Sequence, residues 1–446
     1  MKKHSRRFLK WILKQFAALI VWRFEPQIIA ITGSVGKTLT IEATRAVLGY
    51  ENTRLEKRRV RTSRGDLGNL SVPLAVIGSW SYEELNLISG KEVLLTGKVR
   101  SAIFWPKVLL TGLWNIFFSR KSAYPEILIL EYGSKRPGDI PYFLEIARPD
   151  IGIVTALGEV PAHVEFWNEP EALAREKSKI VEHLPSSGFA ILNYDDEIIM
   201  KFKERTRGRV VTFGMGDGAD VKITNLAGRE APMGISFKLG YGGSVVPVNL
   251  RGAFGKSHAY AAAAAACVGL IFDLNLVDIS EALRAGYLPP PGAMRLFKGI
   301  KDAYIMDGSA EASPLSVEEA FSILCELPAQ SPEGFRRDVG AHGARKIAVL
   351  GDMLELGKYS IEAHEAIGRL AGQAADILVT VGPRGKFIAS GAEASGLSKH
   401  KIYACDTSTE AGKTLQELMK KGDLVLVKGA KEMGLEKVIE EIKLVS

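Results

Sequence analysis

The sequence predicts an α/β protein built on two mostly parallel sheets, and three observations support this prediction. Between residues 27 and 290, short apolar runs alternate with helical patterns, an order typical of a parallel sheet with helices on both faces. The segment Pro289-Pro-Pro-Gly292 then interrupts the pattern with a stiff, extended stretch of the kind that joins domains. Beyond it, the same alternation resumes over a shorter length.

We therefore expect a basic amphipathic segment (1–26), a central domain (27–291) and a smaller C-terminal Rossmann-like domain (292–446). Two-residue alternation from Asp220 to Asn249 predicts an antiparallel flank of the central sheet, and an alanine-rich helix is predicted over Ala259–Leu270. C-terminal helices are expected near 314–327, 360–374, 409–421 and 431–443. The predicted strands are Ile28–Ile31, Ile127–Leu130, Ile151–Thr155, Ala190–Leu192, Val210–Phe213, Tyr304–Met306, Ile347–Leu350, Ile377–Val381 and Leu424–Val427.

Composition indicates a folded protein of more than one domain. The chain has 446 residues, of which 46% are apolar and 24% charged, so it can bury more than one core. Its three cysteines, Cys267, Cys325 and Cys405, lie far apart, which favours a reducing, cytoplasmic setting over a disulfide framework. The net charge of +7 is concentrated near the N-terminus and again from Arg54 to Arg64, which suits an anionic partner. We expect no nucleic-acid partner, since only these clusters would support one.

Two apolar stretches raise the question of membrane contact. The first, Phe16–Trp22, follows a basic segment but lacks a small-residue cleavage site and is too short to span a bilayer. A helix at the inner surface of the membrane is expected there, with burial against the protein an equal alternative. The second, Phe104–Phe118, is rich in Trp and Phe, and burial against the protein is the favoured interpretation.

Residues 28–38 read I-I-A-I-T-G-S-V-G-K-T and predict a phosphate-binding loop between a strand and a helix. The glycines would let backbone N–H groups face an anion, the lysine would contact the β- and γ-phosphates, and the threonine would reach Mg²⁺. The strict motif would have glycine in place of Ile31, so a chance turn is the alternative, which the flanking strand and helix disfavour. We expect ATP or GTP to bind here together with Mg²⁺, at Gly33, Ser34, Gly36, Lys37 and Thr38.

Three further residues suit this chemistry, although each has an ordinary structural alternative. Glu131 ends an apolar strand, where a doubly wound sheet presents metal ligands, yet a solvated strand-end glutamate is commoner. His163 follows the next strand, and a lone histidine is usually structural. Lys177 lies in a charged helical stretch that would normally face solvent.

Taken in order, the motifs resemble one family. The series T-G-S-V-G-K-T, I-L-E-Y-G, P-D-I-G-I-V-T, A-R-E-K, L-N-Y-D-D, P-G-A-M-R-L and R-K-I-A-V-L-G-D-M-L-E-L-G is similar to the Mur ligases of bacterial peptidoglycan synthesis, most of all to their D-alanyl-D-alanine-adding branch. The resemblance covers about residues 27–446, and its most specific stretch is Arg345–Gly357. That branch begins with a domain that holds a UDP-sugar, which we expect to be lacking because the phosphate loop starts by residue 32.

The resemblance implies an ATP-dependent amide ligase that makes an acyl phosphate and then lets an amine displace phosphate. In the family, the position of Glu131 holds one Mg²⁺, and the position of His163 helps to hold a second. The lysine matching Lys177 is carbamylated and supports that second metal. Arg295 matches an arginine that reaches the phosphates, and Asp307 an aspartate that contacts the ribose.

Several departures from the family pattern leave other functions open. The family usually has an acidic residue where this chain has Lys179, and the segments Asp307–Pro314, Gly255–Ala261 and Gly65–Asn69 only partly match. The leading interpretation is a ligase that adds D-alanyl-D-alanine to a muramyl-peptide acceptor. The alternatives are another ligase of the superfamily, amino-acid-adding or amidating, with a different and even lipid-linked acceptor, or a nucleotide-binding module without ligase activity.

Overall fold

The computed structural model describes residues 3–50, 58–89, 95–167, 169–229, 234–326 and 345–444. Part of the predicted basic cluster, residues 54–57, lies outside these ranges, as does Lys2. The described chain forms a nine-stranded sheet followed by a six-stranded sheet, each flanked by helices. This confirms the predicted α/β class.

The larger sheet is parallel through its first seven strands and ends in an antiparallel flank. Its strand order is β2-β3-β1-β4-β5-β6-β7-β8-β9, and β7, β8 and β9 pair antiparallel, as the two-residue alternation predicts. The strands are β1 (Gln27–Thr32), β2 (Val60–Thr62), β3 (Ile127–Glu131), β4 (Ile151–Val154), β5 (Phe189–Asn193), β6 (Arg209–Gly214), β7 (Val221–Arg229), β8 (Gly234–Tyr241) and β9 (Ser244–Arg251).

In the described part of the chain, ten α-helices accompany this sheet and cover two buried clusters, one on each face. They are α1 (Lys3–Phe24), α2 (Lys37–Leu48), α3 (Ser71–Ile77), α4 (Tyr82–Ser89), α5 (Leu95–Phe117), α6 (Asp139–Leu144), α7 (Pro170–Glu182), α8 (Glu197–Met200), α9 (Lys256–Ile271) and α10 (Leu276–Gly286). The predicted alanine-rich helix is α9. Its run Ala261–Ala266 is wholly buried, because methyl side chains let the helix lie close to α2 and to the sheet.

The second sheet has the order β10-β11-β15-β12-β13-β14 and is parallel except for β10, which pairs antiparallel with β11 at one edge. Its strands are β10 (Arg295–Lys298), β11 (Tyr304–Gly308), β12 (Lys346–Gly351), β13 (Ile377–Val381), β14 (Ile402–Cys405) and β15 (Leu424–Lys428). Its helices are α11 (Pro314–Glu326), α12 (Ser360–Ala374), α13 (Gly385–Ala394), α14 (Ser408–Leu418) and α15 (Glu436–Ile442).

The two apolar stretches near the N-terminus become α1 and α5, which lie side by side over α3. Their inner sides are buried in one cluster, which includes Leu13, Ala17 and Phe104. Their outer sides are exposed and still apolar, so the expectation that the second stretch is buried against the protein is wrong for that side. Among the described residues, no helix is both long and apolar enough to cross a membrane.

Candidate active site

The predicted phosphate loop lies at the carboxyl end of β1, between the neighbouring strands β3 and β4. Gly33 has φ 149°, and a Cβ there would overlap Thr155 Oγ1, so no other residue fits without displacing the end of β4. The loop is anchored to that strand end by the Ser34 N–H, which donates to Ala156 O at 2.6 Å. Thr155 Oγ1 donates to Val35 O, also at 2.6 Å. These hydrogen bonds to the end of β4 therefore fix the conformation of the loop.

The end of this loop and the start of α2 present groups that suit a polyphosphate. Gly36 is left-handed, with φ 86°, and directly precedes the helix, whose N-terminus has no side-chain cap. Lys37 Nζ lies over the loop, 3.2 Å from Ser34 O. Ser34 Oγ is buried and, within the described residues, has no hydrogen-bond partner. Since buried hydroxyls are nearly always bonded, this orphaned group fits a ligand in the loop.

Glu131 is buried rather than solvated at the end of β3, so the ordinary alternative for this residue does not hold. Its carboxylate accepts from Thr38 Oγ1 at 3.4 Å. Its backbone N–H donates to Ser63 Oγ at 2.7 Å. A Cβ at Gly65 would overlap the Glu131 carboxylate, so the segment after β2 closes over it.

The pair Thr38–Glu131 fits Mg²⁺. Among the described residues, no three His, Cys, Asp or Glu side chains are grouped to hold a metal ion. Mg²⁺ does not require such a group, since it is usually bound by one or two carboxylates together with substrate phosphates and water. A hydroxyl and a carboxylate at the edge of a phosphate loop are the donors that this arrangement needs.

Lys177, on α7, points inward and is 1% exposed, which excludes the solvated-face alternative. Its Nζ donates a hydrogen bond to Gly33 O, so α7 contacts the phosphate loop directly. Burial, and then the nearby charge of Lys37, lower the pKa of Lys177 well below its ordinary value. A lysine with a lowered pKa carries a larger fraction of free amine, the form that reacts with CO₂ to give a carbamate.

Lys179 does not join this site, although it stands where the family usually has an acidic residue. Its Nζ pairs with Glu176 Oε2 at 2.5 Å. The other oxygen of Glu176 accepts from the N–H groups of Gly138 and Ile140, at 2.9 and 3.1 Å. Lys179 therefore pairs within α7, with a glutamate that also joins this helix to the start of α6.

His163 contacts the segment that follows β12 of the second sheet. Its Nδ1 pairs with the carboxylate of Glu355, which follows β12, and Lys135 pairs with the same carboxylate. Although burial would raise the pKa of Glu355, hydrogen bonds from His163 and Lys135 lower it to about 2. The backbone joins this contact too, because Glu165 N–H donates to Glu355 O at 3.1 Å. The metal role predicted for His163 is not visible in these contacts and stays a prediction.

Arg295 and Asp307 are directly paired neighbours on β10 and β11. Asp307 is buried and accepts from Ser309 N–H at 3.1 Å, Ser309 Oγ at 2.6 Å and Gly292 N–H at 2.9 Å. Arg295 is exposed. The structure thus places them together, with Asp307 shaping the loop that follows β11.

Sequence reasoning missed two charged residues beside this loop. Lys428, at the end of β15, is buried and donates to Glu311 O, and burial lowers its pKa. The charge of Glu311 raises the pKa of both Lys428 and Lys177, against the effect of burial. It therefore lies within electrostatic range of one lysine at the end of β15 and one on α7. The local signal for Lys428 was its position directly after the predicted strand Leu424–Val427, in the sequence Val-Lys-Gly.

Comparison with protein families agrees with this geometry. A family model for the Mur ligase middle domain matches residues 111–268. One for the Mur ligase glutamate ligase domain matches residues 333–431. The chain belongs to the Mur ligase family. Glu131, His163 and Lys177 lie inside the first match, while the phosphate loop precedes it.

Among curated Mur ligases, this chain is similar to the UDP-N-acetylmuramoyl-tripeptide–D-alanyl-D-alanine ligase of Bacillus subtilis, with 24% identity over 96% of this chain and 79% of that one. The same enzyme of Synechocystis is 26% identical over 94% of this chain and 75% of its own. The structure of the Thermotoga maritima MurF ligase in complex with ADP matches with a TM-score of 0.72 and 22% identity, covering 97% of this chain and 83% of that one. At that identity, the structural match supports the shared fold.

Proposed function

We propose that the chain is an ATP-dependent ligase that activates a carboxylate as an acyl phosphate and then joins an amine to it. One observation carries the proposal: buried Lys177 bonds to Gly33 of the phosphate loop, while the Thr38–Glu131 pair stands at the start of α2. Phosphate-binding, metal-binding and cationic groups thus meet at the carboxyl ends of the central strands, where open α/β sheets bind ligands.

Each of these groups has a defined task in such a reaction. The backbone N–H groups between Gly33 and Gly36 and the Lys37 ammonium would offset the charge of the β- and γ-phosphates, which otherwise repels an incoming carboxylate. Thr38 and Glu131 would hold Mg²⁺, which supplies further neutralisation of the transferred phosphoryl group. Carbamylation would turn the Lys177 nitrogen from a cation into an anionic oxygen donor, as the resemblance implies, for a second metal with His163.

The C-terminal sheet would complete the site. Arg295 would reach the phosphates and Asp307 the ribose, as proposed from the family pattern, and their pairing on β10 and β11 supports a shared task. We also propose the domain division 27–291 and 292–446, which is supported by the short distance in sequence between the end of α10 and the start of β10. Closure of the two units on the nucleotide would exclude water.

We propose D-alanyl-D-alanine as the amine and a muramyl peptide as the acceptor, because the curated relatives are named for that reaction. Another ligase of the superfamily, with a different acceptor, is the second candidate. It is supported by the partial matches in the segments Gly65–Asn69 and Asp307–Pro314. The acceptor must then be identified by experiment.

The test is to incubate the protein with ATP, Mg²⁺, D-alanyl-D-alanine and a UDP-muramyl tripeptide, and to look for a new amide together with ADP by mass spectrometry. Both products are expected, and Lys37→Ala should abolish both. Lys399→Ala, an exposed lysine in the C-terminal unit, is the matched control and should leave both unchanged. Formation of ADP without the amide would favour the second candidate, a ligase that uses a different acceptor. Bound nucleotide without any turnover would contradict the ligase and favour the binding module.

A further inference from the structure

Exposed apolar side chains are concentrated on α1, on α5 and at Phe118 directly after it. Of the sixteen large apolar residues that are exposed among the described residues, ten lie there. We call this surface the two-helix face. Its members are Phe8, Trp11, Leu19, Trp22, Ile103, Leu110, Leu113, Trp114, Phe117 and Phe118.

On each helix these residues form one stripe. Neighbouring members of the stripe are mostly three, four or seven positions apart, the spacing that places side chains on one side of a helix. The opposite sides of both helices are buried in the same core, through residues such as Ile20 and Val108. The outer side of a surface helix is usually polar, so both helices depart from that pattern on their outer side.

The two stripes belong to one continuous surface, because the helices pack directly against each other. A Cβ at Gly112 would overlap the ring of Phe16, so the helices cross closely there. Further along, Arg23 donates to Ile116 O at 2.7 Å and to Ser119 O at 3.0 Å. Since both helices cover one core, their outer stripes face the same way.

The size of the surface exceeds what folded proteins commonly leave uncovered. Six of its members are aromatic, each between 58% and 77% exposed. With aromatic side chains of about 150–250 Å², these six alone expose roughly 700 Å². The largest apolar patch on a typical monomer is about 300–600 Å². An exposed apolar surface of this size indicates a site that binds a partner.

The charge on the two helices identifies the kind of occupant. Together α1 and α5 contain nine lysines and arginines and no aspartate or glutamate, whereas the whole chain has a net charge of +7. The remaining 401 residues therefore carry a net charge of −2. The net positive charge of this protein thus comes from the same helices that expose the apolar stripe. A second copy of the chain would bring like charges together, which disfavours self-association through this face.

We propose that the two-helix face binds the surface of an anionic lipid bilayer, with α1 and α5 lying parallel to the membrane plane. Apolar and aromatic side chains would enter the region of the headgroups and upper acyl chains, while the exposed basic side chains Arg7 and Lys10 contact lipid phosphates. Lys14 and Lys107 pair with Glu145 and Glu84 of the protein itself and are not assigned to lipid. Trp and Tyr are enriched at this depth in membrane proteins. The proposal goes beyond the ligase chemistry and does not depend on it, since no residue of the face belongs to that site.

The test is flotation of the full-length protein with vesicles of phosphatidylglycerol and phosphatidylcholine, compared with phosphatidylcholine alone, at low and high salt. Three of the six tryptophans, Trp11, Trp22 and Trp114, lie on the face. Binding should therefore shift the tryptophan emission to shorter wavelength, and lipids brominated near the headgroup should quench it. We expect binding to anionic vesicles that weakens as salt is raised.

Two variants separate the apolar and electrostatic contributions. Trp22→Ser with Trp114→Ser should weaken binding at least tenfold, and Arg7→Gln with Lys10→Gln about thirtyfold, from the attraction of each basic residue to an anionic surface. The matched control, Val277→Ser with Leu288→Ser, removes equally exposed apolar groups elsewhere and should bind normally. Circular dichroism and nucleotide binding would check that each variant is folded.

Three results would overturn the proposal. The first is a wild-type protein that stays unbound on anionic vesicles at low salt. The second is equal binding by the wild type and by a folded Trp22→Ser, Trp114→Ser variant. The third is a wild-type oligomer that this variant converts to a monomer without any vesicle binding in either case, which would assign the face to a second copy of the chain.

Discussion

Replacing Lys177 with methionine is expected to abolish ligation while changing the stability of the fold only slightly. The substitution keeps the length of a side chain that is 1% exposed but removes the amine that bonds to Gly33 O. Leaving that carbonyl without its donor costs about 1–3 kcal/mol. Against this, the ionised amine is disfavoured by burial and by Lys37, and removing it relieves that cost. The net change in unfolding free energy should stay within about 2 kcal/mol.

The effect on activity should be much larger. Removing one preorganised electrostatic group from an active site typically lowers kcat by about 10²–10³, and we expect at least that loss for Lys177→Met. Chemical denaturation would measure the stability, and formation of the amide product would measure the rate. The control is Lys179→Met, on the same helix but paired with Glu176 outside the site, which should keep its rate within about threefold of the wild type.

Dependence on CO₂ supplies a second readout. The free amine of Lys177 would attack the carbon of CO₂, forming a C–N bond and releasing one proton from nitrogen. Wild-type activity should therefore fall in CO₂-depleted buffer and recover with bicarbonate, whereas Lys177→Met should not respond. A stable Lys177→Met variant with activity within tenfold of the wild type would refute the catalytic role. Wild-type activity that is the same in CO₂-depleted and bicarbonate-containing buffer would refute the carbamate.

Three further predictions concern the surroundings of the loop. Glu131→Gln should raise the Mg²⁺ concentration needed for half-maximal ADP formation at least tenfold, measured by metal titration, while a normal titration would remove Glu131 from the metal site. Gly33→Ala should lower the unfolding free energy by about 3 kcal/mol in denaturant, because its Cβ would overlap Thr155 Oγ1 at a positive φ, and an unchanged midpoint would contradict the loop geometry. Glu355 has a folded pKa of about 2, below its ordinary value of 4.5, so it should stabilise the protein above about pH 4.5 and lose that contribution as the pH falls toward 2. Denaturation at several pH values should show a shallower acid-side loss of stability for Glu355→Gln, and identical slopes would argue against the pairing.

The strands of both sheets could be predicted from the sequence because parallel strands are buried on both faces and read as continuous apolar runs. Ile127–Leu130 and Leu424–Val427 are examples, and both lie inside strands of the structure. The short strands β2, β10 and β14 went unpredicted. Each has only three or four residues, lies at a sheet edge and is only partly buried, so its residues do not form such a run.

The site was harder to predict than the fold, since its contacts join distant parts of the chain. The pairing of His163 with Glu355 spans 192 residues, and no local pattern could reveal it. Lys177 was assigned only through the family resemblance, because charge on a helix ordinarily indicates solvent. Which side of α5 would be buried was equally undetermined, since apolar residues of this stretch lie on both sides of the helix.

The alanine run of α9 has a consequence for how mutations would be tolerated. Although Ala261–Ala266 are not among the predicted nucleotide contacts, the helix sets the spacing between the sheet and α2, which begins with Lys37 and Thr38. Each added methylene in so tight a contact costs about 1–3 kcal/mol and displaces a neighbour. In a saturation mutagenesis screen for activity, we expect this plain helix to be as intolerant of substitution as the loop that holds the phosphates.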